Sequence, residues 1–287
     1  WVSSDAVPNQ KADWKLITLD ERTVTDRPIQ IASSGNRLAV LYATGAGGSE
    51  LRLAYSKTQL ADRQLDWGTG VVQREFIPTA QTLTAHANRW WIAQRESGPG
   101  RVTIAASRDL APFSDTHWNS HPLVATSATG SQSNISLTSA GGYLTAIYAT
   151  PVSTWYDFRL ARATVAVPQI SSDWTTGSII PAVPAGYPFY ETPDLPIHAV
   201  TILEGGYMVA FETAANSIAL WRSCDFEPKS ETDWSRGLIP NVSSLIVHPD
   251  LMRGVAAPGD GFAYALYIDE TSTRDYFKLH QLRLDFW

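Results

Sequence analysis

Six tryptophans close similar phrases along this chain. "KADW", "QLDW", "DTHW", "SSDW", "ETDW" and "LDFW" end at Trp14, Trp67, Trp118, Trp174, Trp234 and Trp287, at intervals of 53, 51, 56, 60 and 53 residues. A near-constant period of this size marks a repeat architecture. One supersecondary unit is copied, and each copy buries its apolar face on its neighbours. Five units, 14–67, 67–118, 118–174, 174–234 and 234–287, run from Trp14 to the last residue, and 1–287 reads as one domain. A 287-residue chain with 44% hydrophobic and 17% charged residues can fill such a core.

The content of a unit selects the fold. "RLAVLYAT" (37–44) is matched by "YLTAIYAT" (143–150), "YMVAFET" (207–213) and "FAYALYID" (262–269). "LRLAYS" (51–56) is matched by "VTIAAS" (102–107), "FRLARAT" (158–164), "IALWRS" (218–223) and "FKLHQL" (277–282). These runs are short, β-branched or aromatic, and joined by turns such as "SSGN" and "SAGG", so they predict strands. No window has a helical period. Four antiparallel strands per unit, A to D, with D following the Trp, predict an all-β, five-bladed β-propeller.

The first fourteen residues share six positions with 221–234: Trp1/Trp221, Ser3/Ser223, Asp5/Asp225, Pro8/Pro228, Asp13/Asp233 and Trp14/Trp234. The chain therefore begins near the end of a C strand. Residues 15–19 are expected to form a D strand, and the last unit stops after its C strand. Pairing 15–19 with 277–283 would close the ring and remove two sheet edges.

The segment between C and D reads Ser-x-Asp-x-x-Pro…Trp at Ser3-Asp5-Pro8-Trp14, Ser107-Asp109-Pro112-Trp118 and Ser223-Asp225-Pro228-Trp234. It resembles a lengthened Asp-box, the turn between the same strands of sialidase-like propellers, and the whole phrase resembles secreted bacterial propeller repeats. The resemblance implies an extracellular or cell-surface protein. The recurring Asp-Trp reads as structural, since a geometric need repeats with the repeat; it is given no part in the site.

Function is expected where units differ. The A–B turns are short and alike, whereas the D–A loops diverge. "PAVPAGYPFYETPDLP" (181–196) carries Tyr187, Phe189, Tyr190, Glu191 and Asp194. "NVSSLIVHPDL" (241–251) carries His248 and Asp250, and "DERTVTDRP" (20–28) carries Asp26. Asp26, Asp194 and Asp250 each precede an A strand, nearest the axis. They could act as general acid/base groups, or hold a structural cation with His198 and His248; equally, Asp before a strand is ordinary turn chemistry. The loop "PVSTWYDF" (151–158) adds Trp155 and Tyr156, aromatic faces of the kind that stack on sugars.

The leading expectation is an extracellular recognition module that binds a glycan or protein ligand on the D–A/B–C face through Trp155, Tyr156, Tyr187, Phe189, Tyr190, Asp194, His198, His248 and Asp250. The balance leans away from an enzyme. The alternative is a glycoside hydrolase resembling the five-bladed arabinanase and xylosidase type, which places Asp, Asp and Glu on consecutive blades. Asp194 or Glu191, Asp250 and Asp26 imitate this. A module inside a larger secreted or surface assembly is the third class. No cofactor or metal is required by any motif. The net charge of −6 argues against nucleic acid, and no apolar run reaches membrane-span length. Cys224, the single cysteine, lies in a C–D turn and reads as a buried or inert thiol.

Overall fold

A computed structural model describes residues 2–3, 14–22, 29–45, 48–59, 61–74, 78–96, 102–123, 135–152, 155–180, 198–203, 206–213, 217–239, 252–256, 262–270 and 275–283. An N-terminal hairpin pairs β1 (Val2–Ser3) with β2 (Trp14–Lys15). Five antiparallel meanders follow. The first is β3 (Gln30–Ser34), β4 (Arg37–Thr44), β5 (Glu50–Ser56) and β6 (Trp67–Arg74). The second is β7 (Pro78–His86), β8 (Arg89–Glu96), β9 (Val102–Ser107) and β10 (Trp118–Pro122). The third is β11 (Ile135–Ala140), β12 (Tyr143–Val152), β13 (Trp155–Ala163) and β14 (Trp174–Ile180). The fourth is β15 (His198–Leu203), β16 (Gly206–Thr213), β17 (Ser217–Ser223) and β18 (Trp234–Ile239). The fifth holds β19 (Met252–Ala256), β20 (Phe262–Glu270) and β21 (Asp275–Arg283). Each fourth strand begins at a recurring Trp, as the repeat predicts. Single turns of 3-10 helix precede four of these Trp residues, at Gln64–Asp66, Asp115–His117, Ser171–Asp173 and Glu231–Asp233. The sequence pattern did not signal them.

The register is copied with the sequence. Ser56 pairs with Trp67, Ala163 with Trp174 and Ser223 with Trp234. Ser3 pairs with Trp14 in the N-terminal hairpin, so the first residues form the C–D corner of a unit. The expected outer strand at 15–19 is shorter than predicted: Trp14–Lys15 carries the pairing and residues 16–20 are irregular. The fifth sheet has three strands, and the pairing of 15–19 with 277–283 is absent from the ladders of the described residues. Residues 151–158, expected as a loop, lengthen β12 and β13; Val152 pairs with Trp155 and Pro151 with Tyr156. The backbone ladder continues there; both arms carry β-branched and aromatic residues that suit a strand.

The described chain forms two compact units: Trp1–Pro78 with Leu83–Ile92 and Ile104–Ser120, and Thr79–Thr82 with Ala93–Thr103 and His121–Trp287. Strand alternation builds the core of the first. Ala39, Leu41, Leu51, Leu53, Tyr55 and Val72 point from the first sheet onto Leu83, Trp90, Ile92 and Ala105. Tyr42, Ala54, Ala61 and Trp67 point the other way, where Ile17 and Leu19 pack on them. In the second unit, β11 lies beside β15 and β15 beside β19, so the first strands of consecutive sheets are neighbours. Tyr207 bridges two of these sheets: its hydroxyl lies 2.7 Å from Thr145 Oγ1, and its ring meets Phe226 edge-on.

Tight hairpins join first and second strands. Gly141 and Gly142 take positive φ between Ala140 and Tyr143. Ala87 (φ 48°) and Asn88 (φ 57°) do the same between β7 and β8, without glycine. Two residues at positive φ give the turn twist that suits a two-residue hairpin.

Candidate functional site

The recurring corner uses its acids locally. Asp173 Oδ2 accepts the amides of Gln169 and Ile170 at 2.7 and 3.2 Å. Asp233 Oδ2 accepts those of Lys229 and Ser230 at 2.7 and 2.8 Å. These amide bonds hold both carboxyls below their ordinary range. Asp66 accepts the amide of Arg63 in the same way. Asp109 and Asp225 each take the amide two residues on, from Ala111 and Glu227. Ser56 Oγ accepts the amide of Leu38, and Ser107 Oγ that of Trp90, so the hydroxyl ties the corner to the second strand. Trp67, Trp174 and Trp234 are buried, and Trp118 is half-buried. Asp66, Asp109, Asp173, Asp225 and Asp233 are thus each occupied by their own turn. Cys224 in the fourth corner is exposed, which corrects the buried-thiol expectation: the side chain leaves the sheet where the strand ends.

A further repeat, Trp-x-x-Gly, occurs at Trp67/Gly70, Trp174/Gly177 and Trp234/Gly237, and the corner accounts for it at Gly70. A Cβ on Gly70 would collide with the carbonyl of Pro112 and the backbone of Phe113, so the outer strand approaches the next corner backbone to backbone. At the equivalent position after Trp118 stands His121, whose Nε2 accepts the indole N–H of Trp174 at 3.1 Å. After Trp14 stands Ile17, packed on the cluster that contains Trp67. The third residue after Trp14, Trp67 and Trp118 thus meets the following corner or the cluster around its Trp.

The opposite end of the first sheet carries a different chemistry. Asp20 Oδ2 accepts the Tyr42 hydroxyl at 2.8 Å and lies 3.2 Å from Arg52 Nε. Asp20 Oδ1 accepts the amide of Arg22, whose guanidinium also lies 3.6 Å from Oδ2. Arg52 Nη1 donates to Glu50 Oε2 at 2.8 Å, and Thr44 Oγ1 donates to the same oxygen at 3.4 Å. Arg52 and Tyr42 are buried, with 5% and 3% of their surface exposed. Burial pushes the Asp20 carboxyl up, but the Tyr42 hydroxyl, the Arg22 amide and the charges of Arg52 and Arg22 outweigh it and hold it below the ordinary value. Burial, then the bond and charge of Asp20, push the Tyr42 hydroxyl far above the ordinary phenol range. The cluster sits where strand D runs into A and strand B into C, the face to which the sequence assigned function.

Asp26, Tyr187, Phe189, Tyr190, Glu191, Asp194, His248 and Asp250 lie outside the described residues. Trp155 and Tyr156 lie on β13 rather than in a loop, and His198 opens β15 opposite Phe211. The first strands begin at 30, 198 and 252, so Asp26, Asp194 and Asp250 do precede them in sequence. Among the described residues, no group of three or more His, Cys, Asp or Glu side chains could hold a metal ion. No described helix is long and apolar enough to cross a membrane. Sequence reading missed Asp20, Tyr42, Glu50 and Arg52. The usable signal was an arginine inside the apolar run "LRLAYS", since a buried guanidinium demands an acid partner.

No protein-family model matches the chain, and no curated protein matches it. Among solved structures it is similar to an α-L-arabinofuranosidase from Lactobacillus brevis, at 11% identity over 88% of this chain and 89% of that one, with a TM-score of 0.51. It is also similar to the Aleuria aurantia fungal lectin, described as a six-bladed β-propeller with a novel fucose recognition mode. That match has 10% identity over 89% of this chain and 77% of the lectin, with a TM-score of 0.51. Likeness at these identities is a likeness of fold, and the fold is the all-β propeller of antiparallel sheets.

Proposed function

We propose that the chain is a glycan-recognition propeller, extracellular or surface-exposed, that binds its ligand on the D–A/B–C face. The observation that supports this most is the company of the fold: a glycoside hydrolase and a fucose-recognising lectin are similar to this chain over most of its length. The loops of that face supply the matching chemistry, aromatic rings at Tyr187, Phe189 and Tyr190 and acids at Asp26, Glu191, Asp194 and Asp250. In this reading 1–287 is one five-bladed domain, closed by 15–19 against 277–283. A protein ligand, a structural cation near the axis held with His198 and His248, and a place in a larger surface assembly are compatible with it.

The second reading, a glycoside hydrolase on the same face, is favoured by one observation. β15 and β19 are neighbours, so Asp194 and Asp250 precede adjacent strands. Two carboxyls about 5–5.5 Å apart would suit a retaining enzyme, and about 6.5–9.5 Å an inverting one.

A glycan array run beside a panel of chromogenic glycosides tests both. Binding without turnover is expected. Turnover abolished by Asp194→Asn or Asp250→Asn would replace the binder with the hydrolase, and neither binding nor turnover would overturn the glycan reading.

A further inference from the structure

We infer that Arg52 is a positioning residue that couples the D–A and B–C loop roots of the first sheet into one surface. The D–A root is the turn at Asp20–Arg22, closed by the Arg22 amide on Asp20 Oδ1. The B–C root is the hairpin end where Thr44 pairs with Glu50. One guanidinium meets both: Nε lies 3.2 Å from Asp20 Oδ2, and Nη1 is 2.8 Å from Glu50 Oε2. The two carboxylates share no contact with each other that would hold the roots together without it.

Three features set this apart from an ordinary surface ion pair. Arg52 is 95% removed from solvent as judged by its 5% exposure, so screening is weak. The side chain stands between Leu51 and Leu53 and beside Ala54, all fully buried and apolar; a leucine there would pack with less desolvation cost. Tyr42 reinforces the Asp20 arm from the second strand, so the carboxylate is held against both β4 and β5. The Glu50 arm is a hydrogen bond and the Asp20 arm an ion pair in which Nε donates no hydrogen bond; a lysine ammonium, a compact point charge, reaches one carboxylate where the broad guanidinium spans two. The proposal that this surface meets a ligand rests on the glycan reading above; the coupling itself does not.

Hydrogen exchange on the full chain tests it without any ligand. Peptides covering 20–22 and 44–50 are followed in the parent, Asp20→Asn, Glu50→Gln, Arg52→Lys and Asp20→Asn combined with Arg52→Lys. Asp20→Asn should speed exchange about tenfold in the hairpin 44–50 as well as in its own turn. Glu50→Gln should do the reciprocal. With Arg52→Lys already in place, adding Asp20→Asn should change the hairpin much less than in the parent, since only the Tyr42 hydroxyl bond to β4 is then left to weaken. The coupling is overturned if Asp20→Asn leaves 44–50 untouched in the parent, or alters it equally in the Arg52→Lys background. Should Asp20→Asn fail to fold, Tyr42→Phe removes one hydroxyl from the same carboxylate and should loosen both peptides in the same direction. Glycan-array binding, read separately, reports on the ligand proposal alone.

Discussion

Trp174 donates its indole N–H to Nε2 of His121, 3.1 Å away across the junction of two sheets. The acceptor must be an unprotonated nitrogen, so the bond fixes the tautomer with hydrogen on Nδ1. Burial lowers the His121 pKa from 6.5, partly opposed by the charge of Asp173. A base with a depressed folded pKa lets the unfolded chain take up the proton first. Stability is therefore full above about pH 6.5 and falls as pH drops from there through the folded value. Urea midpoints measured from pH 8 to pH 5 should show this decline, and His121→Phe should flatten it. An unchanged slope in the variant would mean another group titrates.

Gly70→Ala should destabilise by about 1–3 kcal/mol, because a methyl there meets the backbone of Pro112 and Phe113, which cannot rotate aside. Thr69→Ala, in the same strand, is the control and should cost less. Chemical denaturation of both variants is the measurement; equal midpoints would show that the outer strand is free to move away.

Trp67→Ala should cost about 3–5 kcal/mol, the usual penalty for truncating a buried aromatic. Its ring packs with Tyr42, Ala54 and Ala61, and its N–H reaches the Ala61 carbonyl at 3.1 Å. A variant that melts like the parent but loses a glycan would return the recurring Trp to the candidate site.

Ala87→Gly should stabilise the chain by about 0.5–1 kcal/mol. An L-residue pays roughly 1–2 kcal/mol in the left-handed region, and the greater freedom of glycine when unfolded returns part of the gain. Ala87 has φ 48°, while Gly35 and Gly141 hold the corresponding turn positions at 55° and 56°. Thermal melting of the single substitution decides it, and a lower Tm would contradict the assigned turn.

The repeat made the sheets legible. Its strands, from 37–44 to 275–283, fall within a few residues of their expected bounds because each unit repeats one alternation against one kind of neighbour. Loops have no such copies to compare. Residues 151–158 read as a loop, yet the hairpin arms continue through it, with Pro151 paired to Tyr156 and Val152 to Trp155. Asp20 was passed over for Asp26, six residues along the same loop, since nothing local says which acid a distant arginine will meet. The Ser-Asp-Trp corner was read as structural, and the carboxylates of Asp173 and Asp233 accept amides of their own turns.

The residue three places after Trp14, Trp67 and Trp118 belongs, in packing terms, to the following sheet. Ile17 packs on the cluster that holds Trp67, Gly70 admits the backbone of Pro112, and His121 answers Trp174 with a lone pair. Units built this way are not interchangeable beads. Each carries half of an address that only its successor can complete, so the order of repeats is written into their junctions. Shuffling the units by recombination would fail first between the second and third, where a stranger's indole would have to satisfy an imidazole selected for Trp174.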